Sequence, residues 1–179
     1  MRRFVYIDGP SVCWEGQRLA AVRRGFASSL HDAISRDIVD GAWNLDYGRL
    51  YEALCPQAER GGHTSLFGVR PHQVDTIWSL DGVNAVVFDR EAPGDTATKF
   101  DVMIATQLVE HSFTAMEPGD RAVVIAGDCE LTPGVHSLSS RGFPTTVAFW
   151  DHATARELKG VADEVVSLDA VLDRLGRGA

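Results

Sequence analysis

Two aspartates each follow a short apolar, β-branched run. Asp8 closes Arg3–Ile7 in Asp8-Gly9-Pro10-Ser11, and Asp128 follows Ala122–Ala126 in Gly127-Asp128-Cys129-Glu130. Runs of this kind suit strands buried on both faces. In open α/β sheets the ligand crevice lies outside the carboxyl ends of the strands. If these two strands are neighbours where the strand order reverses, their carboxylates converge on one crevice. Asp101, expected in the first turn of a helix over Lys99–Phe113, joins them from the side. Three or four carboxylates so gathered repel one another unless a cation neutralises them. Mg²⁺ suits such a place, because it takes oxygen ligands, keeps waters and bridges to substrate phosphates. It would orient an attacking water and stabilise charge on a phosphoryl group. Each acid also has a purely structural account: Asp8 and Asp128 as caps of the turns that follow, Asp101 as an acid favoured at a helix N-terminus. Cys129 as a nucleophile is the poorer reading, since no histidine is placed beside it.

The elements that must position these groups alternate. Strands are expected at Arg3–Ile7, His63–Val69, Asn84–Phe88, Ala122–Ala126, Thr145–Trp150 and Glu164–Ser167. Between them lie helical patterns. Trp14 to about Asp40 has apolar residues at threes and fours, with a break near Gly25 and a stop at Gly41. Asp46–Glu59 has Asp46 as its N-cap, Pro71–Leu80 starts on a proline, and Lys99–Phe113 places Val102, Ala105 and Val109 on the core side. Leu131, Val135 and Leu138 recur at helical spacing before Gly142. Helices are also expected at Ala153–Gly160 and Leu168–Leu175, a turn at Asp81-Gly82, and a loop over Arg90–Thr98. Strands alternating with helices argue for an α/β fold with a mostly parallel central sheet of about five strands.

The chain has 179 residues, which points to a single domain over 1–179. No run approaches a transmembrane helix, and Asp8 and Pro10 interrupt the N-terminal apolar stretch too early for a signal peptide. Cys13, Cys55 and Cys129 are odd in number and fit no zinc spacing, as expected of reduced cysteines in a cytoplasmic protein. The net charge of −8 argues against a broad electropositive surface for long nucleic acid, but not against a nuclease whose metal-binding acids add negative charge. Arg18, Arg23 and Arg24 form a local basic cluster, better read as a solvated helix face than as a phosphate contact.

Four segments carry a resemblance. Tyr6-Ile7-Asp8-Gly9, Lys99-Phe100-Asp101-Val102, Ile125-Ala126-Gly127-Asp128-Cys129-Glu130 and Val161-Ala162-Asp163-Glu164-Val165 occur in an order that resembles the NYN-domain family of PIN-like nucleases. The likeness runs from about Arg3 to Leu175. It implies a Rossmann-like (PIN-like) three-layer fold, a divalent cation (Mg²⁺ or Mn²⁺) and RNA as substrate. By motif match it also implies Asp8, Asp101 and Asp128 as metal ligands. The departures are Ser11 where the family has asparagine, Gln107 for the second acid of the helix, and Glu130 for the second aspartate of the turn. A helical insertion at about 14–45 lengthens the first crossover.

The expected function is a metal-dependent ribonuclease hydrolysing RNA phosphodiesters. Asp8, Asp101, Asp128 and Glu130 would form the catalytic set, Glu130 as ligand or water-positioning base. Ser11, Lys99 and Gln107 would contact substrate. The alternative is a catalytically degenerate module of the same type that binds RNA or a protein partner, with a homodimer as a further option and no membrane association. A small-nucleotide binder ranks lower, because Asp8–Gly16 is not a glycine-rich phosphate cradle.

Overall fold

The computed structural model describes residues 1–70, 83–89 and 95–177. The helix expected over Pro71–Leu80, the turn at Asp81-Gly82 and the stretch Arg90–Gly94 lie outside the described residues. Each of the six strand-like runs forms a strand: β1 Arg3–Asp8, β2 Thr64–Arg70, β3 Val83–Asp89, β4 Arg121–Ile125, β5 Thr145–Phe149 and β6 Glu164–Ser167. They make one sheet in the order β3-β2-β1-β4-β5-β6, and every neighbouring pair is parallel. The order reverses between β1 and β4. That is where an open α/β sheet leaves a crevice at the carboxyl ends of its strands.

Strand alternation sends successive side chains to opposite faces, and each face has its own core. Val5, Ile7, Val123, Ile125 and Ala148 pack with helix α1 (Gly9–Arg23), helix α3 (Tyr47–Leu54), Trp43, Trp150 and the C-terminal Leu172 and Leu175. Phe4, Tyr6, Phe67, Val124 and Val147 face the other way. There they meet Phe100, Ile104 and Leu108 of helix α4 (Asp95–Thr114) and Val135 and Leu138 of helix α5 (Thr132–Ser140). Helices thus cover both faces in three layers, as expected of a parallel sheet. Among the described residues no helix is long and apolar enough to cross a membrane.

Several elements begin or end elsewhere than their periodicity implies. α1 starts at Gly9, directly after β1, because Asp8 caps it and Pro10 occupies its first turn. The crossover then breaks at Gly25, whose φ of 77° suits glycine, and resumes as the short helix α2 (Leu30–Ser35) capped by Ser29. α3 is capped by Asp46 as expected but ends at Leu54, ahead of Pro56. α4 begins at Asp95, so Asp95–Thr98 is helix rather than loop. The last two helices are shorter than their patterns: 3₁₀ turns precede helix α6 (Arg156–Val161) and helix α7 (Leu172–Leu175).

α1 docks without a spacer. A Cβ on Gly16 would lie 2.6 Å from the Trp43 ring and 2.8 Å from that of Trp150. These rings themselves meet edge-on with centroids 6.0 Å apart, and the Trp150 indole donates to the Val12 carbonyl at 2.7 Å. Gly160 of α6, by contrast, has open space where its Cβ would be. Gly16→Ala is therefore expected to destabilise the protein by about 1–3 kcal/mol through overpacking. Gly160→Ala should stabilise it by up to about 1 kcal/mol through helix propensity. Urea unfolding monitored by circular dichroism measures both.

Candidate metal centre

Three of the acids singled out above come together. One carboxylate oxygen from each of Asp8, Asp101 and Asp128 lies within 4.8 Å of the other two. Asp8 ends β1, and the alternation that turns Phe4 and Tyr6 toward α4 carries Asp8 to the same side. Asp128 follows β4, the strand beside β1 at the reversal. Asp101 reaches in from α4 on the helix face that also buries Phe100 and Ile104. Asp8 and Asp101 are almost wholly buried, while Asp128 opens to solvent.

Two glycines permit the approach. A Cβ on Gly9 would sit 2.6 Å from the Phe67 carbonyl oxygen and 2.9 Å from the Tyr47 hydroxyl, which donates to the Gly9 carbonyl at 3.1 Å. A Cβ on Gly127 would fall 2.2 Å from the Ala153 carbonyl oxygen. β1 and β4 can thus turn directly into their following segments with neighbouring backbone packed against the turns.

The structural accounts of the three acids hold only in part. Asp8 does cap α1: its Oδ1 accepts from the Ser11 N–H at 3.2 Å. Its Oδ2, however, is buried with no hydrogen-bond partner among the described residues. Asp128 precedes a 3₁₀ turn over Cys129–Leu131 yet makes no side-chain cap bond. Asp101 is the seventh residue of α4 and so lies in its second turn, because the helix starts at Asp95; the N-terminal preference for acids does not reach it. Its Oδ1 is likewise buried and unpartnered. Buried polar atoms are nearly always satisfied, and three carboxylates, two of which carry an unpartnered buried oxygen, are an all-oxygen donor set of the kind that hard divalent cations such as Mg²⁺ and Mn²⁺ take.

The electrostatics agree. Burial pushes the Asp8 carboxyl up to about 6, only partly offset by the bonds from Ser11, and the charge of Asp128 adds to the rise. Burial pushes Asp101 up to about 7, with further contributions from Asp128, Asp8 and Glu130.

The other predicted residues are placed differently. Glu130 is exposed, close enough to raise Asp101 yet outside the three-carboxylate group. Ser11 sits beside Asp8 at the start of α1, and its hydroxyl as well as its N–H favours the Asp8 carboxylate. Gln107 turns to β2, where its Oε1 accepts from the Ser65 hydroxyl at 2.7 Å. The side chain of Lys99 lies outside the described residues. Val102, expected in the core, is 58% exposed, because α4 buries Phe100, Ile104 and Leu108 instead. Arg18, Arg23 and Arg24 pair with Glu15 and Asp37, with Asp173, and with Asp40, as befits a helix face engaged in local ion pairs. Cys13, Cys55 and Cys129 form no disulfide among the described residues, and Cys129 is exposed.

Sequence reasoning gave Asp163 no individual role. Its Oδ2 accepts from the Thr145 N–H at 2.8 Å and from the Ser139 hydroxyl at 3.0 Å, tying the start of β5 to the end of α5. Those bonds hold its carboxyl below the usual range. Its signal was present, since it lies in one of the four family-like segments, but its task is structural.

A parallel sheet of this order with acids at its switch point defines a Rossmann-like α/β fold of the PIN type. The NYN domain family matches residues 5–169, and the chain belongs to that family, a PIN-like nuclease family. A protein of unknown function from Vibrio parahaemolyticus, known from its crystal structure, is similar in fold: its TM-score is 0.63 at 15% identity, over 93% of this chain and 92% of that one. No curated protein matches this sequence.

The raised carboxyls imply a definite pH dependence. In the unfolded chain Asp titrates near 4. Between there and about 7 the folded, cation-free protein therefore binds more protons than the unfolded one. This contribution to stability is complete below pH 4 and is lost as pH rises through about 6 to 7. Asp101→Asn is expected to remove much of the loss, so that its stability relative to the unaltered protein is greater at pH 8 than at pH 4 by a few kcal/mol. Urea unfolding of both proteins in chelator at the two pH values checks this; an equal difference at both refutes it.

Proposed function

We propose that the chain is a metal-dependent ribonuclease that hydrolyses RNA phosphodiesters at the Asp8–Asp101–Asp128 cluster. The observation that carries this reading is the convergence of three carboxylates within 4.8 Å, two of them with buried, unpartnered oxygens. Membership of the NYN family supports it. The donor set fits Mg²⁺ or Mn²⁺, held by Asp8, Asp101 and Asp128. When bound, such an ion supplies Lewis-acid stabilisation of the phosphoryl group and activation of the attacking water.

The chain's own residues do the rest. Asp8, anchored by Ser11 through one oxygen, keeps the other oriented into the cluster. Asp101 and Asp128 close the cluster from α4 and from the loop after β4. Glu130, exposed two residues beyond Asp128, serves as the base that orients the incoming water. Ser11, beside Asp8 at the start of α1, and Lys99 are the residues assigned to the substrate strand. With the three arginines of the α1 region already paired, substrate is held near the cluster rather than along a long basic track. This is consistent with a short footprint.

A degenerate binding module is the second reading. It is favoured by the commitment of the Gln107 carbonyl to Ser65, which leaves three acids at the cluster rather than four.

Calorimetric Mn²⁺ titration at pH 8, followed by cleavage of a fluorescently labelled oligoribonucleotide, separates the two. Saturable binding and cleavage, both abolished by Asp128→Asn, are expected. Mn²⁺ binding without cleavage, or no binding into the millimolar range, would leave the binding module in possession. Because Asp8 and Asp101 must lose protons to bind, affinity should rise from pH 5.5 to pH 8.

A further inference from the structure

α4 carries Asp101 near its start and, further along, Gln107 and His111. Both of the latter are tied to the sheet through an otherwise apolar layer. The wholly buried Tyr6 of β1 places its hydroxyl 2.8 Å from Nδ1 of His111. The wholly buried Ser65 of β2 donates to Oε1 of Gln107 at 2.7 Å. Since the Ser65 proton goes to Gln107, the Ser65 oxygen accepts from Nε2–H of His63, 2.9 Å away. Tyr6 and Ser65 are register partners on adjacent strands, so the two ties lie side by side. The His63 and His111 rings meet edge-on, with centroids 4.6 Å apart, and Phe4 and Tyr6 flank His111. Burial lowers both histidines below their usual value. At neutral pH His111 therefore keeps a lone pair for the Tyr6 proton.

Apolar burial of Ile104 and Leu108 holds α4 to the sheet but is non-directional and tolerates small slides and rotations. Hydrogen bonds from buried donors do not, because the Tyr6 and Ser65 hydroxyls, wholly buried, lose their partner when the helix is displaced. Something must resist displacement here: Asp8 and Asp101 repel each other, and they sit on the same two elements, β1 and α4. Tyr6 lies two residues before Asp8, and Gln107 is about 9 Å along the helix axis from Asp101. Both ties therefore act on rigid elements within a short lever of the carboxylates.

We propose that Tyr6–His111 and Ser65–Gln107 form a clamp that sets the position of Asp101 against Asp8, which makes these four positioning residues for the carboxylate site. Gln107 is then a strut whose carbonyl engages β2, and not a ligand or a substrate contact. The proposal rests on the reading of the cluster as a cation site only for its functional consequence; the mechanical part stands on the hydrogen bonds alone.

The test uses the full chain at pH 8, with Mn²⁺ calorimetry and, in chelator, amide hydrogen exchange over residues 100–104. Tyr6→Phe and Ser65→Ala, each removing one hydroxyl, are expected to weaken Mn²⁺ binding about tenfold, as loss of outer-shell partners does, and to speed exchange over 100–104. His111→Phe, which keeps ring packing but offers no acceptor, should behave like Tyr6→Phe. His111→Gln, which restores an acceptor for Tyr6, should retain Mn²⁺ affinity and slow exchange. A lower melting temperature with unchanged affinity and unchanged exchange would overturn the clamp, as would equal loss in His111→Gln and His111→Phe. If the unaltered protein binds no Mn²⁺, the cation-site reading falls by itself, and the exchange data alone decide the clamp.

Discussion

Three like charges brought together, two of them out of water, are the constraint to which the rest of the molecule answers. Two unit charges at about 5 Å and an effective dielectric constant near 20 repel by about 3 kcal/mol, and Asp8 and Asp101 are desolvated as well. Nothing among the described residues bonds Oδ2 of Asp8 or Oδ1 of Asp101. The fold must supply the opposing force. It does so with a parallel sheet whose order reverses between β1 and β4, placing Asp8 and Asp128 on adjoining strand ends. It adds a long helix, α4, that spans the face toward which Asp8 points.

The two faces of the sheet meet this demand by different means. On the α1 side the packing is apolar and close. Gly16 lets α1 approach Trp43 and Trp150 with no room for a methyl group, and the Trp150 indole engages the Val12 carbonyl. That side makes β1 a fixed reference. On the α4 side the apolar layer is interrupted by Tyr6, Ser65, Gln107 and the two histidines. Polar groups in such a layer cost desolvation, and their bonds return directionality. The close-packed face thus anchors β1, while the polar face sets how α4 lies upon it.

Charge elsewhere is locally balanced, which bears on how a negatively charged strand would be received. Arg18 sits between Glu15 and Asp37, and Glu15 also meets His152 at 3.0 Å. Arg2 is engaged by Asp120 and Arg24 by Asp40. A chain with a net charge of −8 that engages Arg2, Arg18, Arg23 and Arg24 in intramolecular pairs gains little from electrostatic steering of polyanions. On the proposed reading, attraction for phosphate would fall chiefly to a cation held at the carboxylate cluster.

Much of this was legible in the residues. The six strands, the Asp46 cap, the buried Leu131, Val135 and Leu138, and the acids after β1 and β4 follow from local pattern, because strand burial and capping are decided within a few residues. The motif order pointed to the NYN family for the same reason: each motif is a short piece of chain whose chemistry is written in consecutive side chains. The start of α4 was not legible, since Asp95–Thr98 is polar and follows Pro93-Gly94. Nor was the rotation of that helix, which exposes Val102 and buries Asp101. The orientation of an amphipathic helix is set by what it packs against, here Tyr6, Phe67 and Ser65 from strands far away in sequence. Gln107 read as a substrate contact in place of the family's second acid and Asp163 as part of a motif; their distant partners, Ser65 and Thr145, are seen only in the fold. Residue types and spacing alone thus determined which acids stand at strand ends and to which family the chain belongs. Only the tertiary structure decided that Asp8 and Asp128 meet Asp101, that two of the three keep bare oxygens, and that the Gln107 carbonyl engages Ser65, because those outcomes depend on strand order and helix rotation, which no local stretch encodes.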